Sequence, residues 1–119
     1  VVVPRSKIVD FAKCINELAC RLGIRIPYFG HAGDGNMHVY FCRDNLKEDD
    51  WEKRLQEAFD FQYSKAAELG GMVSGEHGIG FAKKEYLAKS LGFNQMELMR
   101  RIKQAFDPNG ILNPHKIVT

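Results

Sequence analysis

The sequence lacks the features that mark membrane, nucleic-acid-binding and repeat proteins. No apolar run approaches the roughly 20 residues that a membrane-spanning helix needs, so no transmembrane segment is predicted. The formal net charge is only +2, and the basic residues are dispersed among acids, which argues against nucleic acid as a partner. No internal repeat or linker is visible, and 119 residues fit one packed unit, so residues 1–119 are predicted to form a single domain.

Cysteine is scarce and follows no known pattern. Cys14, Cys20 and Cys42 form no C-x-x-C pair, and their odd number fits poorly with a secreted disulfide framework. We therefore expect a reduced, cytoplasmic setting, with any membrane contact made through partner subunits, and thiols without a chemical role. The chain opens on Val1 and Val2 without an initiator methionine or signal-peptide pattern, so we expect a fragment of a longer polypeptide.

The hydrophobic pattern alternates between strand and helix periods. It predicts strands at residues 1–3, 24–29, 37–42 and 72–74, and helices over residues 8–22 and from Asp49 to the Gly70-Gly71 pair. Ser6 is expected to cap the first helix and Gly23 to end it, while Asp49 and Glu52 resemble a capping box. The order predicts an α+β fold, the ferredoxin-like split βαβ sandwich (βαββαβ) followed by C-terminal helices.

Two helices are expected after the sandwich. The first lies around Tyr86 to Leu91, and the second is capped by Asn94 and Glu97 and ends near Phe106. Residues 107–110, Asp-Pro-Asn-Gly, have the composition of a type I turn.

Two glycine-rich segments hold three of the four histidines. His31 and His38 flank Ala-Gly-Asp-Gly-Asn-Met, and imidazoles that meet across such a turn bind zinc, iron and related divalent ions well. Glu76 and His77 lie in Ser-Gly-Glu-His-Gly-Ile-Gly, which adds a carboxylate and a third imidazole. A set of His31, His38 and Glu76 would leave coordination positions open for substrate, with His77 as the acid or base, since imidazole exchanges protons near neutral pH.

A simpler interpretation of both segments stays open. Gly-Asp-Gly-Asn is a common turn composition in which Asp34 can bond nearby backbone amides, and glycines beside Glu76 can serve only to shape a loop. His115 is interpreted as a solvated residue of the tail. In a ferredoxin-like sandwich, moreover, the end of the fourth strand lies opposite the hairpin, so Glu76 would have to reach across the sheet.

Four ordered motifs resemble one family. These are Val-Pro-Arg-Ser at residues 3–6, Gly-His-Ala-Gly-Asp-Gly-Asn-Met-His at residues 30–38, Ser-Gly-Glu-His-Gly-Ile-Gly at residues 74–80, and Phe-Asp-Pro-Asn-Gly-Ile-Leu-Asn-Pro at residues 106–114. They resemble the C-terminal domain of FAD-linked oxidases in the vanillyl-alcohol-oxidase superfamily. That group includes glycolate oxidase flavoprotein subunits, D-lactate dehydrogenases and D-2-hydroxyglutarate dehydrogenase.

The resemblance implies specific roles and partners. His31, His38 and Glu76 would hold a divalent metal, zinc, iron or manganese, and His77 would accept the hydroxyl proton as hydride passes to FAD. The substrate would be a small 2-hydroxy acid of the glycolate or D-lactate type, oxidised to a 2-keto acid. An N-terminal FAD-binding domain of the same polypeptide and an electron-acceptor protein would be the partners, and this piece alone would be inactive.

Tyr40 departs from the family pattern, because it stands where D-2-hydroxyglutarate dehydrogenase has a substrate-contacting asparagine. That substrate is therefore disfavoured. A free-standing ferredoxin-like module that binds a metal or an effector without catalysis is the alternative, and a structural interaction domain without a ligand is a third possibility. Whether the reading frame continues upstream into a flavin-binding domain would discriminate between enzyme and module.

Overall fold

The computed structural model describes residues 1–118, and over that range it is an α+β chain with three α-helices and one small antiparallel sheet. A 3₁₀ turn at Arg5–Lys7 is followed by α1 (Ile8–Leu22), β1 (Tyr28–His31), β2 (Asn36–Val39), α2 (Glu48–Glu68) and α3 (Lys84–Phe106). The chain divides into an amino-terminal unit, Val1–Glu76, and a carboxyl-terminal unit that begins at His77. The single domain stays a prediction, because two compact units can belong either to one domain or to two separate domains.

Helix α1 forms where the apolar residues recur at helical spacing. Phe11, Ile15, Leu18 and Leu22 are its buried residues, and Gly23 ends the helix as predicted. Helix α2 contributes Ala58 and Ala66 to the same core, while Arg21 of α1 pairs with Glu57 of α2 at 3.2 Å. The helices and the inner face of the hairpin, through Met37, share one apolar cluster.

The predicted amino-terminal caps of α1 and α2 are wrong. Lys7, not Ser6, precedes α1, and Lys47, not Asp49, precedes α2, with no side-chain hydrogen bond at either cap. Helix α2 instead opens with three acidic residues in its first turn, where negative charge interacts favourably with the exposed backbone amides. Charge at the amino end of α2 therefore replaces the predicted capping box.

The sheet is smaller than the four strands predicted. Strands β1 and β2 pair antiparallel, with Phe29 opposite His38 and His31 opposite Asn36. Val2 forms single antiparallel bridges to Asn36 on one side and to Met72 on the other, so residues 1–3 and 72–74 are not strands of regular length. The α+β class is confirmed, while the specific ferredoxin-like arrangement is not confirmed.

The amino-terminal segment approaches the hairpin turn closely. Val3 donates its backbone N–H to the carbonyl of Gly35 at 2.9 Å, and Gly35 has a φ of +74°. A side chain at position 35 would collide with the carbonyl of Val3, so only glycine satisfies both the backbone angle and the approach.

The carboxyl-terminal unit is built on α3 and the segment that follows it. Gly92 has non-helical backbone angles inside α3, so the two predicted helices lie on either side of this break. The predicted turn at residues 107–110 is present, since Gly110 donates its N–H to the carbonyl of Asp107 at 3.1 Å. Asp107 is buried and accepts the backbone N–H groups of Ile111 and Leu112, each at 3.0 Å.

Two further features concern residues 1–118 as a whole. None of the helices in this range is both long and apolar enough to cross a membrane. The three cysteines are free, with Cys20 exposed and Cys14 and Cys42 partly buried.

Candidate metal centre

The hairpin has an inner face and an outer face, and the candidate ligands lie on the outer one. Residues opposite each other in an antiparallel pair share a face, and successive residues alternate. Met37 and Val39 pack into the core with α1 and α2, so His38, with its partner Phe29, points the other way. His31 lies opposite Asn36 and shares that outer face.

Three donor groups converge there. His38 Nε2 lies 3.0 Å from Glu76 Oε1, and His31 Nδ1 lies 3.7 Å from the same oxygen. One ligand-type atom from each of the three residues lies within 4.8 Å of the other two. The imidazole rings of His31 and His38 stand edge to face, with centroids 5.4 Å apart.

These separations fit a divalent ion. Donors about 2.1 Å from one cation lie roughly 3.0 Å apart in octahedral and roughly 3.4 Å apart in tetrahedral geometry. The observed 3.0 and 3.7 Å bracket those values, and the widest pair exceeds the tetrahedral value by no more than about 1.4 Å. Two imidazoles with one carboxylate are a donor set suited to zinc, iron or manganese.

The cluster is open on one side. The side chain of His38 is 11% exposed, whereas those of His31 and Glu76 are 54% and 45% exposed. Sites that act on a substrate keep coordination positions free, whereas purely structural sites are closed by protein ligands. The arrangement can therefore hold an ion and still offer it to a small molecule.

Glu76 reaches the hairpin because the chain does not continue as a strand. Met72 exchanges backbone hydrogen bonds with Val2, but the following residues leave the sheet and bring Gly75 against the Asn36 side chain. This irregular path removes the difficulty that a regular fourth strand posed for the predicted site.

His77 is placed differently from the other predicted site residues. It begins the carboxyl-terminal unit and is exposed, whereas His31, His38 and Glu76 all belong to the amino-terminal unit. The structure thus brings the three predicted ligands together, while the catalytic role of His77 stays a prediction.

The sequence interpretation missed two features of the outer face. Asn36 is buried, with its side-chain amide 3.3 Å from His31 Nδ1. Phe29 and Tyr40 are exposed and stack with centroids 5.3 Å apart, and Phe29 also lies 5.5 Å from the His38 ring. The period-two alternation of both strands would have placed these residues beside the histidines.

The fold and the donor set define an α+β domain with a candidate metal centre. The family model for "FAD linked oxidases, C-terminal domain" matches residues 1–117, and the chain belongs to that family, as the four motifs predicted.

Similar relatives are much longer than this chain. It is 50% identical over 117 residues to a D-lactate dehydrogenase of Anaerostipes hadrus, covering 98% of this chain and 25% of the relative. It is 47% identical to a D-lactate dehydrogenase of Archaeoglobus fulgidus, covering 98% of this chain and 25% of the relative. It is 44% identical to the glycolate oxidase subunit GlcD of Bacillus subtilis, covering 97% of this chain and 24% of the relative. The chain thus spans about a quarter of the length of these relatives.

Proposed function

We propose that the chain is the metal-binding, substrate-side domain of an FAD-dependent 2-hydroxy-acid dehydrogenase of the glycolate or D-lactate type. The observation that carries the proposal is the convergence of His31, His38 and Glu76 on one open face of the hairpin. Family membership and relatives named D-lactate dehydrogenase and glycolate oxidase support the reaction class.

The chemistry divides between cofactors and side chains. FAD would accept the hydride, and a divalent ion, zinc, iron or manganese, would act as a Lewis acid on the substrate hydroxyl. His31 and His38 contribute neutral nitrogen donors, and the carboxylate of Glu76 offsets part of the ion's charge. His77 accepts the hydroxyl proton on a ring nitrogen, so that the alcohol carbon becomes the carbonyl of a 2-keto acid.

The outer face supports a small substrate with one carboxylate. The stacked rings of Phe29 and Tyr40 form an apolar surface beside His38. A second substrate carboxylate placed against that apolar surface would lose hydration. Glycolate or D-lactate therefore fits this face better than a dicarboxylate such as 2-hydroxyglutarate.

The surface of the carboxyl-terminal unit supports an additional partner within the same polypeptide. Its exposed large hydrophobic residues include Phe93, Leu98, Phe106 and Ile111, with Phe93 76% and Phe106 83% exposed. Large apolar areas in water usually mark an interface. We propose that they pack against an N-terminal FAD-binding domain, so that the present chain alone is inactive, and that a separate protein accepts electrons from the flavin.

We also propose that residues 1–3 and 72–74 are the remaining strands of a ferredoxin-like sheet. The bridges of Val2 to Asn36 and to Met72 support this order, because they place residues 1–3 between β2 and the Met72 segment.

The single domain and the cytoplasmic location stay predictions. No observation favours the free-standing module over the enzyme.

His77 offers the most direct test. In the full-length polypeptide, His77→Ala should lower turnover of D-lactate or glycolate by about 10² to 10⁴, the usual contribution of a positioned acid or base. Metal content, measured by elemental analysis, should stay at the wild-type value. His115→Ala removes an exposed imidazole from the tail of the same unit and is the matched control. Unchanged turnover in His77→Ala would refute its role.

A further inference from the structure

A row of aromatic rings runs along the outer face of the hairpin, away from the turn. His31 lies next to the turn, His38 follows with Phe29 directly opposite it, and Tyr40 lies furthest from the turn. Ring centroids are 5.4 Å apart from His31 to His38, 5.5 Å from His38 to Phe29 and 5.3 Å from Phe29 to Tyr40. One end of the row thus belongs to the candidate metal ligands, and the other end is apolar.

The apolar end is open to solvent. Phe29 is 61% and Tyr40 49% exposed, and their ring planes are within 14° of parallel, so the two rings form one flat surface. Apolar surface beside a few polar donor groups is the usual construction of a small-molecule site. An apolar group of a ligand held by those donors would leave water on contact with the rings, which stabilises binding.

The distance from the ligands to the rings suits the size of a 2-hydroxy acid. A divalent ion lies about 2.1 Å from a coordinating imidazole nitrogen, and the His38 ring has Phe29 as its neighbour. A substrate that chelates the ion through its hydroxyl and carboxylate oxygens has its C2 substituent only a few bonds from that ion. Because His31 takes the position toward the turn, the Phe29 and Tyr40 rings are the surface that lies beside this substituent.

We propose that the Phe29 and Tyr40 pair binds the C2 substituent of the substrate and makes the enzyme selective for 2-hydroxy acids with an apolar side chain, lactate and its longer homologues. The inference rests on the proposed function and deepens it, because glycolate carries only hydrogen at this position. Both residues determine specificity and take no part in proton or hydride transfer.

The experiment measures kcat/KM of the full-length polypeptide for D-lactate, D-2-hydroxybutyrate and D-2-hydroxyvalerate. All three are secondary alcohols, so the series changes the side chain by one CH₂ at a time. The value should rise about 2- to 4-fold with each CH₂, where the upper figure is that of a fully buried group. A flat or falling series in the wild type would overturn the inference.

Two variants at position 29 separate apolar contact from bulk. Phe29→Gln removes the apolar ring and should reduce the rise to less than about 1.5-fold per CH₂, whereas Phe29→Leu should retain most of it. The ratio of kcat/KM for D-lactate to that for glycolate should also fall in Phe29→Gln, since the intrinsic reactivities of the two alcohols cancel between wild type and variant. Tyr40→Gln repeats the test if Phe29→Gln fails to fold.

Val9→Gln is the matched control, because it removes a 62% exposed apolar side chain from α1 of the same unit and should leave the series unchanged. Each variant is normalised to its own rate with D-lactate, so a general loss of activity does not affect the comparison. If the wild type oxidises D-lactate and Phe29→Gln keeps the wild-type rise, this inference alone fails, and the rings cover another surface such as that of the FAD-binding domain. If the wild type oxidises none of the acids, the proposed function and the inference fail together.

Discussion

Replacing Glu76 with glutamine tests the metal site most directly. Glu76 Oε1 makes both short donor contacts in the cluster, 3.0 Å to His38 Nε2 and 3.7 Å to His31 Nδ1. Glutamine keeps the shape of the side chain and removes its charge. The two imidazoles that remain are neutral when they bind a metal, so the cluster would supply no negative charge to a divalent ion.

The expected magnitude has a lower bound. Loss of an outer partner of a metal ligand costs about 10- to 100-fold in affinity, and loss of a direct ligand must exceed that. We therefore expect the zinc dissociation constant of Glu76→Gln to rise at least about 100-fold, or about 2.7 kcal/mol. At a zinc concentration 100 times the dissociation constant of the wild type, bound zinc would stabilise the wild type by about 2.7 kcal/mol. It would stabilise Glu76→Gln by only about 0.4 kcal/mol.

Chelator competition gives the dissociation constants, and urea unfolding with and without zinc gives the stabilisation. Glu57→Gln is the control, since Glu57 is an exposed acid of the same unit that pairs with Arg21. A Glu76→Gln variant that binds zinc within threefold of the wild type would show that the carboxylate is not a ligand.

Three further predictions follow from contacts in the two units. Phe11→Ala should lower the free energy of unfolding by about 3–5 kcal/mol in urea titrations, because Phe11 is fully buried between packed elements; a loss below 1 kcal/mol would contradict that packing. The hydrogen bond from Lys103, helped by backbone amides, holds the pKa of Asp107 below its ordinary value despite the opposing effect of burial. Its stabilising contribution is therefore complete above about pH 4 and is lost as pH falls through the lowered pKa, so Asp107→Asn should make urea midpoints less dependent on pH below 4. Tyr40→Asn in the full-length polypeptide should raise kcat/KM for D-2-hydroxyglutarate relative to D-lactate, and an unchanged ratio would remove the aromatic pair from the substrate site.

Helix positions followed from local signals, whereas sheet extent did not. The spacing of Phe11, Ile15 and Leu18 is sufficient to predict α1, because burial of one helical face is a local property of the sequence. Strand length depends on which partner segment lies alongside, and for residues 1–3 that partner is non-local on both sides. The predicted amino-terminal caps were wrong because residue type alone does not fix the first residue of a helix. Ser6 and Asp49 have side chains suited to capping, but they lie one or two positions away from the actual helix starts.

The candidate ligands were predicted from residue chemistry, but the residues in contact with them were not. Histidines and a glutamate in glycine-rich segments suggest a metal from composition alone. Asn36 and Gly75 carry no such signal, because an asparagine or glycine in a turn has an ordinary explanation. Their contact joins the hairpin to the segment that carries Glu76, and only the fold reveals it.

The interrupted sheet and the candidate metal site depend on the same stretch of chain, residues 72–76. Residues 1–3 lie between β2 and the Met72 segment, so a regular fourth strand would run two strand spacings, about 10 Å, from β2. The irregular path instead brings the Glu76 carboxylate within 3.0 Å of His38 Nε2. The chain leaves the sheet soon after Met72, and Gly75 permits the close approach to Asn36 because it has no side chain. Lengthening the strand would add backbone hydrogen bonds to the Val1 segment but would change the position of Glu76 relative to His31 and His38, so the short sheet and the convergence of the three donors go together.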